Sequence, residues 1–345
     1  MRSNLFFAAL PMCLPMCLAI AAASQAQVVL DGSAEAKLYG AAIAVQNTQT
    51  QFGDATQGTV DFASGSELDA CYATIDGNFL FIVFAGNLES NYNKLDIFID
   101  GVAGGQNRLR GNNPDVDFNG INRMGDDGTG NGLTFDADFS ADLWISLTCG
   151  GAPLAVYMNQ AQLLTEGGGT GGYLGTGGAG AAGAVIFKSG FGFGLDNSNI
   201  AGVASGSELA DTAAAELVRT GVEVRIPLSA IPGYTVGDLK VCAFINGGGH
   251  DYLSNQVLGP LGGGANLAEP RLVNLENYPG SQYVLIANSG ATPCPSDLDL
   301  NGSVDAADLA ALLGAWGGTG GDLDGSGTTD AADLAIMLGA WGACS

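Results

Sequence analysis

Two runs of twelve residues near the end of the chain carry side chains that could hold a hard cation. The first places Asp297, Asp299, Asn301, the Ser303 carbonyl, Asp305 and Asp308 at positions 1, 3, 5, 7, 9 and 12, with Gly302 at position 6. The second places Asp322, Asp324, Ser326, the Thr328 carbonyl, Asp330 and Asp333 at the same positions around Gly327. Calcium takes roughly six to eight oxygens, and a loop of this length supplies them at these positions, with glycine making the sharp turn. The loops start 25 residues apart and carry eight acids that repel one another without a cation. Two bound calcium ions are therefore expected, needed for folding as well as held by the fold.

Each loop runs into a helical stripe: Leu309, Leu312, Leu313 and Trp316 after the first, Leu334, Met337, Leu338 and Trp341 after the second. No helix enters either loop, since Pro293-Cys294-Pro295 precedes the first and Gly317 to Gly321 the second. Tandem loop-helix units with Asp at position 12 resemble the type I dockerin repeats of secreted polysaccharide-degrading systems. The resemblance implies a small α-helical calcium-binding module over 290–345 that docks onto a cohesin-like or other surface receptor. The chain departs from the pattern at positions 10 and 11, where Ala306-Ala307 and Ala331-Ala332 stand in place of the usual Ser-Thr pair. A different receptor, or a purely structural calcium module, stays open. The pseudo-two-fold arrangement of dockerins also implies that Cys294 and Cys344 lie close enough to form a disulfide, the rival being a bond from either to Cys71, Cys149 or Cys242.

At the other end, Arg2, an apolar run from Leu5 to Ala23 and the small residues of Ser24-Gln25-Ala26 predict a signal peptide over 1–26, and hence a secreted or cell-surface protein. Five of seven cysteines remain after cleavage, in a compartment where thiols can pair. Thirty-five acids against 11 Lys and Arg give a net charge of −24, which argues against nucleic acid or an anionic membrane as partner. No later stretch reaches the roughly 18 apolar residues of a membrane span.

Between 27 and 289 the chain reads as strands divided by Gly, Asn and Asp turns, a mainly β domain of β-sandwich type with jelly-roll or immunoglobulin-like topology. Phe79 to Phe84 and Leu95 to Asp100 are expected to pair across the turn between them. Further strands are expected at Leu143–Leu147, Ala184–Phe187, Val222–Leu228, Leu239–Ile245 and Gln282–Ile286. Gly167 to Gly183 reads as a surface loop. The opening Leu30-Asp31-Gly32 and the late Val222-Glu223-Val224-Arg225-Ile226-Pro227-Leu228 resemble the family 9 carbohydrate-binding modules and the related DOMON domains, which implies a sandwich fold and a possible polysaccharide ligand.

Period-2 alternation puts Lys94, Asp96, Phe98 and Asp100 on one strand face. The phrase resembles the strand motif of laminarinase-like sandwich glycosidases, but Lys94 stands where the nucleophilic Glu belongs. Hydrolysis by the two-carboxylate route then lacks a nucleophile. His250, the single histidine, is expected as a surface hydrogen-bonder, the acids between Asn112 and Asp138 as a solvated loop, and Trp144, Tyr157 and Tyr252 as sugar-stacking platforms or core. The reading is a secreted calcium-binding protein whose sandwich binds carbohydrate, with no catalytic residue assigned. A polysaccharide-degrading enzyme carried on a dockerin and a structural cell-surface protein are the alternatives.

Overall fold

The computed structural model describes residues 28–53, 63–178, 185–288, 295–299, 303–324 and 326–343. In chain order its elements are α1 (Ala36–Tyr39), β1 (Ala44–Val45), β2 (Glu67–Asp76), β3 (Phe79–Asn87), β4 (Lys94–Asp100), α2 (Gly120–Met124), β5 (Leu143–Gly150), β6 (Ala155–Gln162) and β7 (Gly171–Gly178). They continue as β8 (Val185–Ile186), β9 (Gly192–Leu195), α3 (Thr212–Ala215), β10 (Gly221–Pro227), β11 (Leu239–Asn246), β12 (Leu253–Leu258), β13 (Val284–Ile286), β14 (Ser303–Val304), α4 (Ala306–Gly314), α5 (Ala331–Gly339) and β15 (Gly342–Ala343). The fold is mainly β, and the strand pairs are antiparallel.

One sheet has the order β1-β2-β3-β10-β9-β8 and the other β12-β11-β4-β5-β6-β7, with β13 on β11. They share a core: Leu80, Ile82, Phe84, Val222, Val224 and Ile226 of the first meet Leu95, Ile97, Ile99, Ile145, Leu147 and Met158 of the second. β3 is apolar without alternation because its other face is covered as well, Phe81 and Val83 packing with Leu30, Tyr39 and Tyr72. The outer face of the second sheet is likewise roofed, Phe98, Trp144 and Phe244 packing against Leu109, Ile121, Leu133, Phe135 and Phe139. Residues 101–142 and 247–283 supply that roof, and the cavity described below lies at its edge.

The opening Asp31-Gly32 meets the late strand directly. Glu223 Oε2 accepts from the amides of Asp31 (2.8 Å) and Gly32 (3.1 Å), and Oε1 accepts from the Tyr39 hydroxyl. Gly32 sits at φ +82°, where a Cβ would fall 2.4 Å from the Asp196 nitrogen, so the turn requires glycine.

Two expectations are corrected. β3 and β4 do not pair: residues 88–93 carry the chain from one sheet to the other, so β3 lies between β2 and β10, and β4 between β11 and β5. Gly171–Gly178 is not a loop but an edge strand on β6. Its glycines make room for side chains laid across it, since a Cβ on Gly175 would come 2.4 Å from the Phe187 ring and one on Gly177 2.2 Å from Val185.

After 295 the chain forms its own small core of Val304, Leu312 and Met337, flanked by Leu298, Leu309, Leu323 and Leu334. Each expected stripe splits in two. Leu313, Trp316, Leu338 and Trp341 are about half exposed. β14 pairs with β15, Ser303 opposite Ala343, so the end of the chain returns to the first loop. The signal peptide, Asn301, Gly302 and both Cys294 and Cys344 lie outside the described residues. Cys71, Cys149 and Cys242 are buried, and Cys71 and Cys242 carry free thiols. Among the described residues no helix is long and apolar enough to cross a membrane.

Candidate functional site

The two terminal loops fold alike. Carboxylate oxygens of Asp297, Asp299 and Asp308 converge within 4.8 Å of one another, and those of Asp322, Asp324 and Asp333 do the same. Asp308 accepts from the amides of Leu298 (2.7 Å), Asp299 (3.1 Å) and Asp305 (2.8 Å), and Asp333 from Leu323 (2.6 Å), Asp324 (3.0 Å) and Asp330 (2.7 Å). These bonds draw each position-12 acid back over its loop. Asp305 and Asp330 stand outside the convergent groups and cap α4 and α5, accepting from Ala307 and Ala332. In the second loop the Ser326 hydroxyl donates to the Thr328 carbonyl (3.2 Å), while Asp322 receives Lys37 at 3.3 Å. The donor sets are oxygen throughout, which fits calcium and not a softer metal.

The second site lies on the outer face of the second sheet, and register builds it. Asn246, Lys94, Thr148 and Tyr157 stand opposite one another in a row across β11, β4, β5 and β6. The next row is Phe244, Asp96, Ser146, Asn159 and Tyr173, reaching β7. Over these rows opens a cavity of about 690 Å³, lined by Lys94, Thr148, Tyr157, Asn159 and Tyr173 from the strands and Tyr92, Asp117, Phe118 and Gly248 from loops.

Beneath the cavity lies a charged network. Asp117 Oδ2 accepts from Lys94 Nζ (2.9 Å) and the Ser146 hydroxyl (3.1 Å) and bonds His250 Nε2 (2.9 Å). His250 Nδ1 contacts Asp96 Oδ2 at 3.1 Å, while Asp96 also accepts from Trp144 Nε1 (3.0 Å) and Asn246 Nδ2 (3.1 Å). Burial lowers the His250 pKa, but the two carboxylates outweigh it and the net shift is upward. Burial likewise raises Asp117, and the bonds and charges of His250 and Lys94 overcome it, bringing the carboxyl to about 2. Lys94 and His250 thus both bond Asp117 beneath the cavity, and His250 also bonds Asp96.

The expected roles change here. His250 is not a surface group: it is 1% exposed, because Gly120 packs against its ring so closely that a Cβ would come 2.5 Å from Nε2. Asp117, in a stretch expected to be a solvated loop, is instead half of a buried ion pair. Lys94 and Asp96 are buried, and Trp144 is core. Tyr157 lines the cavity, whereas Tyr252 stacks on Phe52, ring centroids 6.1 Å apart.

Strain concentrates at the same place. Among the described residues six non-glycine residues have positive φ; Tyr92, Asp117 and Phe118 line this cavity, Asn119 follows Phe118, and His250 lies in the network beneath. Such backbone costs of order 1–3 kcal/mol each for a residue that does not favour it, and it gathers where function requires it. Tyr92, Asp117, Phe118, Asn159 and Tyr173 were not anticipated as site residues. The available signal was Asp117-Phe118-Asn119-Gly120, three of whose four residue types tolerate the left-handed region.

Several polar atoms at the cavity have no protein partner among the described residues. Asn159 is 4% exposed and its side chain makes no hydrogen bond among the described residues. Every Asp117 bond falls on Oδ2, leaving Oδ1, and Lys94 uses two of its three protons, one on Asp117 and one on Thr148 (2.8 Å). No protein-family profile, curated protein or solved structure matches the chain.

Proposed function

We propose that the chain is a secreted glycan-binding protein, a carbohydrate-binding β-sandwich of the family 9 and DOMON kind carried on a dockerin-like tail that holds two calcium ions. The observation that carries the glycan reading is the Asn159 amide, without a hydrogen bond among the described residues, lining a cavity walled by Tyr92, Tyr157, Tyr173 and Phe118. A sugar ring needs apolar faces to stack on and fixed donors and acceptors for its hydroxyls, and the aromatic walls with Asn159, Asp117 Oδ1 and Lys94 supply both. Binding is favoured over hydrolysis because Asp117 is the lone carboxylate among the lining residues, whereas glycoside hydrolysis by the usual route uses two flanking the bond. Incubating the protein with a panel of soluble polysaccharides, with retention and reducing ends both assayed, tests this. Retention without new reducing ends is expected, and release of reducing ends would favour the enzyme reading.

The tail is the docking end. Three converging carboxylates in each loop support a calcium ion there, with Asp297, Asp299, Asn301, the Ser303 carbonyl, Asp305 and Asp308 as the first set. Asp322, Asp324, Ser326, the Thr328 carbonyl, Asp330 and Asp333 are the second. Bound calcium would neutralise the clustered acids and tie each loop to its helix. The exposed pairs Leu313 with Trp316 and Leu338 with Trp341 are the apolar groups available to a cohesin-like or other receptor at the cell surface. Calcium bound by the full chain is expected to fall by one ion on Asp297→Ala with Asp299→Ala, and unchanged stoichiometry would remove the first site.

A further inference from the structure

A second cavity, of about 590 Å³, opens at the other end of the same sheet, where the chain leaves β4, enters β5 and leaves β6. Its walls are loop segments laced together by side-chain amides. Gln106 Nε2 donates to the Leu164 carbonyl (2.7 Å) while its Oε1 accepts from the Arg110 amide (2.9 Å), and Asn107 Nδ2 donates to the carbonyls of Asp136 (2.6 Å) and Phe139 (2.8 Å). Gly105 closes the corner, where a Cβ would fall 2.5 Å from the Ser140 carbonyl oxygen. These bonds make the cavity a preformed feature of the fold.

Arg108 and Arg110 line it, and among the described lining residues none is acidic or aromatic. Leu109, fully buried between them, puts both arginines on the opposite side of an extended segment in which Arg108 bridges Thr134. Each guanidinium is steadied by one carbonyl, Arg108 by Gly130 (2.7 Å) and Arg110 by Thr165 (3.2 Å). Each meets a carboxylate only at a stretched distance, Asp126 at 3.4 Å and Glu166 at 3.5 Å. An arginine committed to a carboxylate in this molecule looks different: Arg123 takes both oxygens of Glu269, each at 2.7 Å. Arg108 Nε, Arg110 Nη1 and the hydroxyls of Ser140 and Thr165 have no protein partner among the described residues.

We propose that this cavity binds an acidic sugar through its anionic group, the carboxylate of a uronate or a sulfate ester. Two guanidiniums present planar forks of donors that match such a group, and the unpartnered hydroxyls of Ser140 and Thr165 are there to meet ring hydroxyls. Without an aromatic wall nothing stacks on a neutral ring, so charge and hydrogen bonds carry the binding. A volume of about 590 Å³ accommodates the ring as well as its charged group. The net charge of −24 does not decide the matter locally, because two of the 11 Lys and Arg residues stand together here. The Glu166 side chain beside Arg110 is 86% exposed, where solvent screens it. The inference does not rest on the glycan reading of the aromatic cavity.

The test is calorimetric titration of the full chain with trigalacturonate, a sulfated galactose trimer and neutral galactotriose, carried out in the Tyr157→Ala with Asn159→Ala background that disables the aromatic cavity. An anionic trimer should bind and the neutral one should not, and the tighter of the two anions tells carboxylate from sulfate. Adding Arg108→Gln with Arg110→Gln should weaken that binding by about tenfold or more, with the melting temperature nearly unchanged. Glu166→Gln, an exposed change, should instead tighten it by about twofold, a gain that no loss of folding can imitate. Anionic trimers that fail to bind, that bind no better than the neutral one, or whose affinity survives loss of both arginines overturn the inference. Failure of the glycan reading shows separately, as a retained polysaccharide whose affinity is the same with and without Tyr157 and Asn159.

Discussion

His250 shows how a single side chain can join two loops to a sheet. Its ring nitrogens reach Asp96 on β4 and Asp117 in the strained turn before α2. Replacing it with alanine leaves two carboxylates short of a partner in a dry environment, and the expected cost is about 3–5 kcal/mol. Urea unfolding measures it, and a change below about 0.5 kcal/mol would mean the network is not stabilising. Glu223 tests the other sheet through pH. Burial, opposed by bonds from Tyr39 and the Asp31 and Gly32 amides, lifts its carboxyl to about 7, so the folded state keeps a proton that the unfolded chain has lost. Its contribution is therefore fully present below the ordinary value near 4.5 and is lost as pH rises toward 7. Subtracting the pH dependence of Glu223→Gln from that of the native chain should leave a stability difference that declines across this window. A flat difference would place the carboxyl at its ordinary value.

At the scale of elements, β7 separates glycines that are required from those that are tolerated. A Cβ on Gly177 meets Val185 at 2.2 Å, whereas one on Gly172 meets nothing within 4 Å. Gly177→Ala should cost about 1–3 kcal/mol, as overpacking does. Gly172→Ala should stay within about 0.5 kcal/mol, as a surface change does. Equal melting temperatures for the two variants would mean that β8 does not lie across this strand. This strand was illegible in the sequence because glycine gives no hydrophobic period, and what makes it a strand is backbone pairing to β6 beneath Phe187. β12 escaped for a related reason. Its Ser254, Asn255 and Gln256 are polar yet fully buried, Asn255 and Gln256 binding the backbone of Gln49 from another part of the chain. By contrast the runs at β3, β4, β10 and β11 could be read directly, and so could the spacing of the two acidic loops. The pairing of β3 with β4 was misread because a short connection between strands ordinarily makes a hairpin. The cavity was half legible: alternation put Lys94 and Asp96 on one face, but their partners arrive from residues 117 and 250, separations that no local pattern reveals.

Over the whole molecule the acidic groups fall into two kinds of setting. The tail gathers its acids in a small helical unit with matched apolar pairs exposed, and the sandwich keeps its charged groups buried beneath an aromatic cavity. The net charge of −24 argues against nucleic acid or an anionic membrane as partner. Tyr157 and Asn159 serve the cavity without entering the charged network, so they can be altered while His250, Asp96 and Asp117 keep their bonds. The most direct measurement is the affinity of the full chain for the oligosaccharide it retains best, set beside that of Tyr157→Ala with Asn159→Ala. A loss of at least tenfold, about 1.4 kcal/mol, is predicted, with the melting temperature nearly unchanged. Undiminished affinity in a folded double variant would contradict the assignment of glycan binding to this cavity.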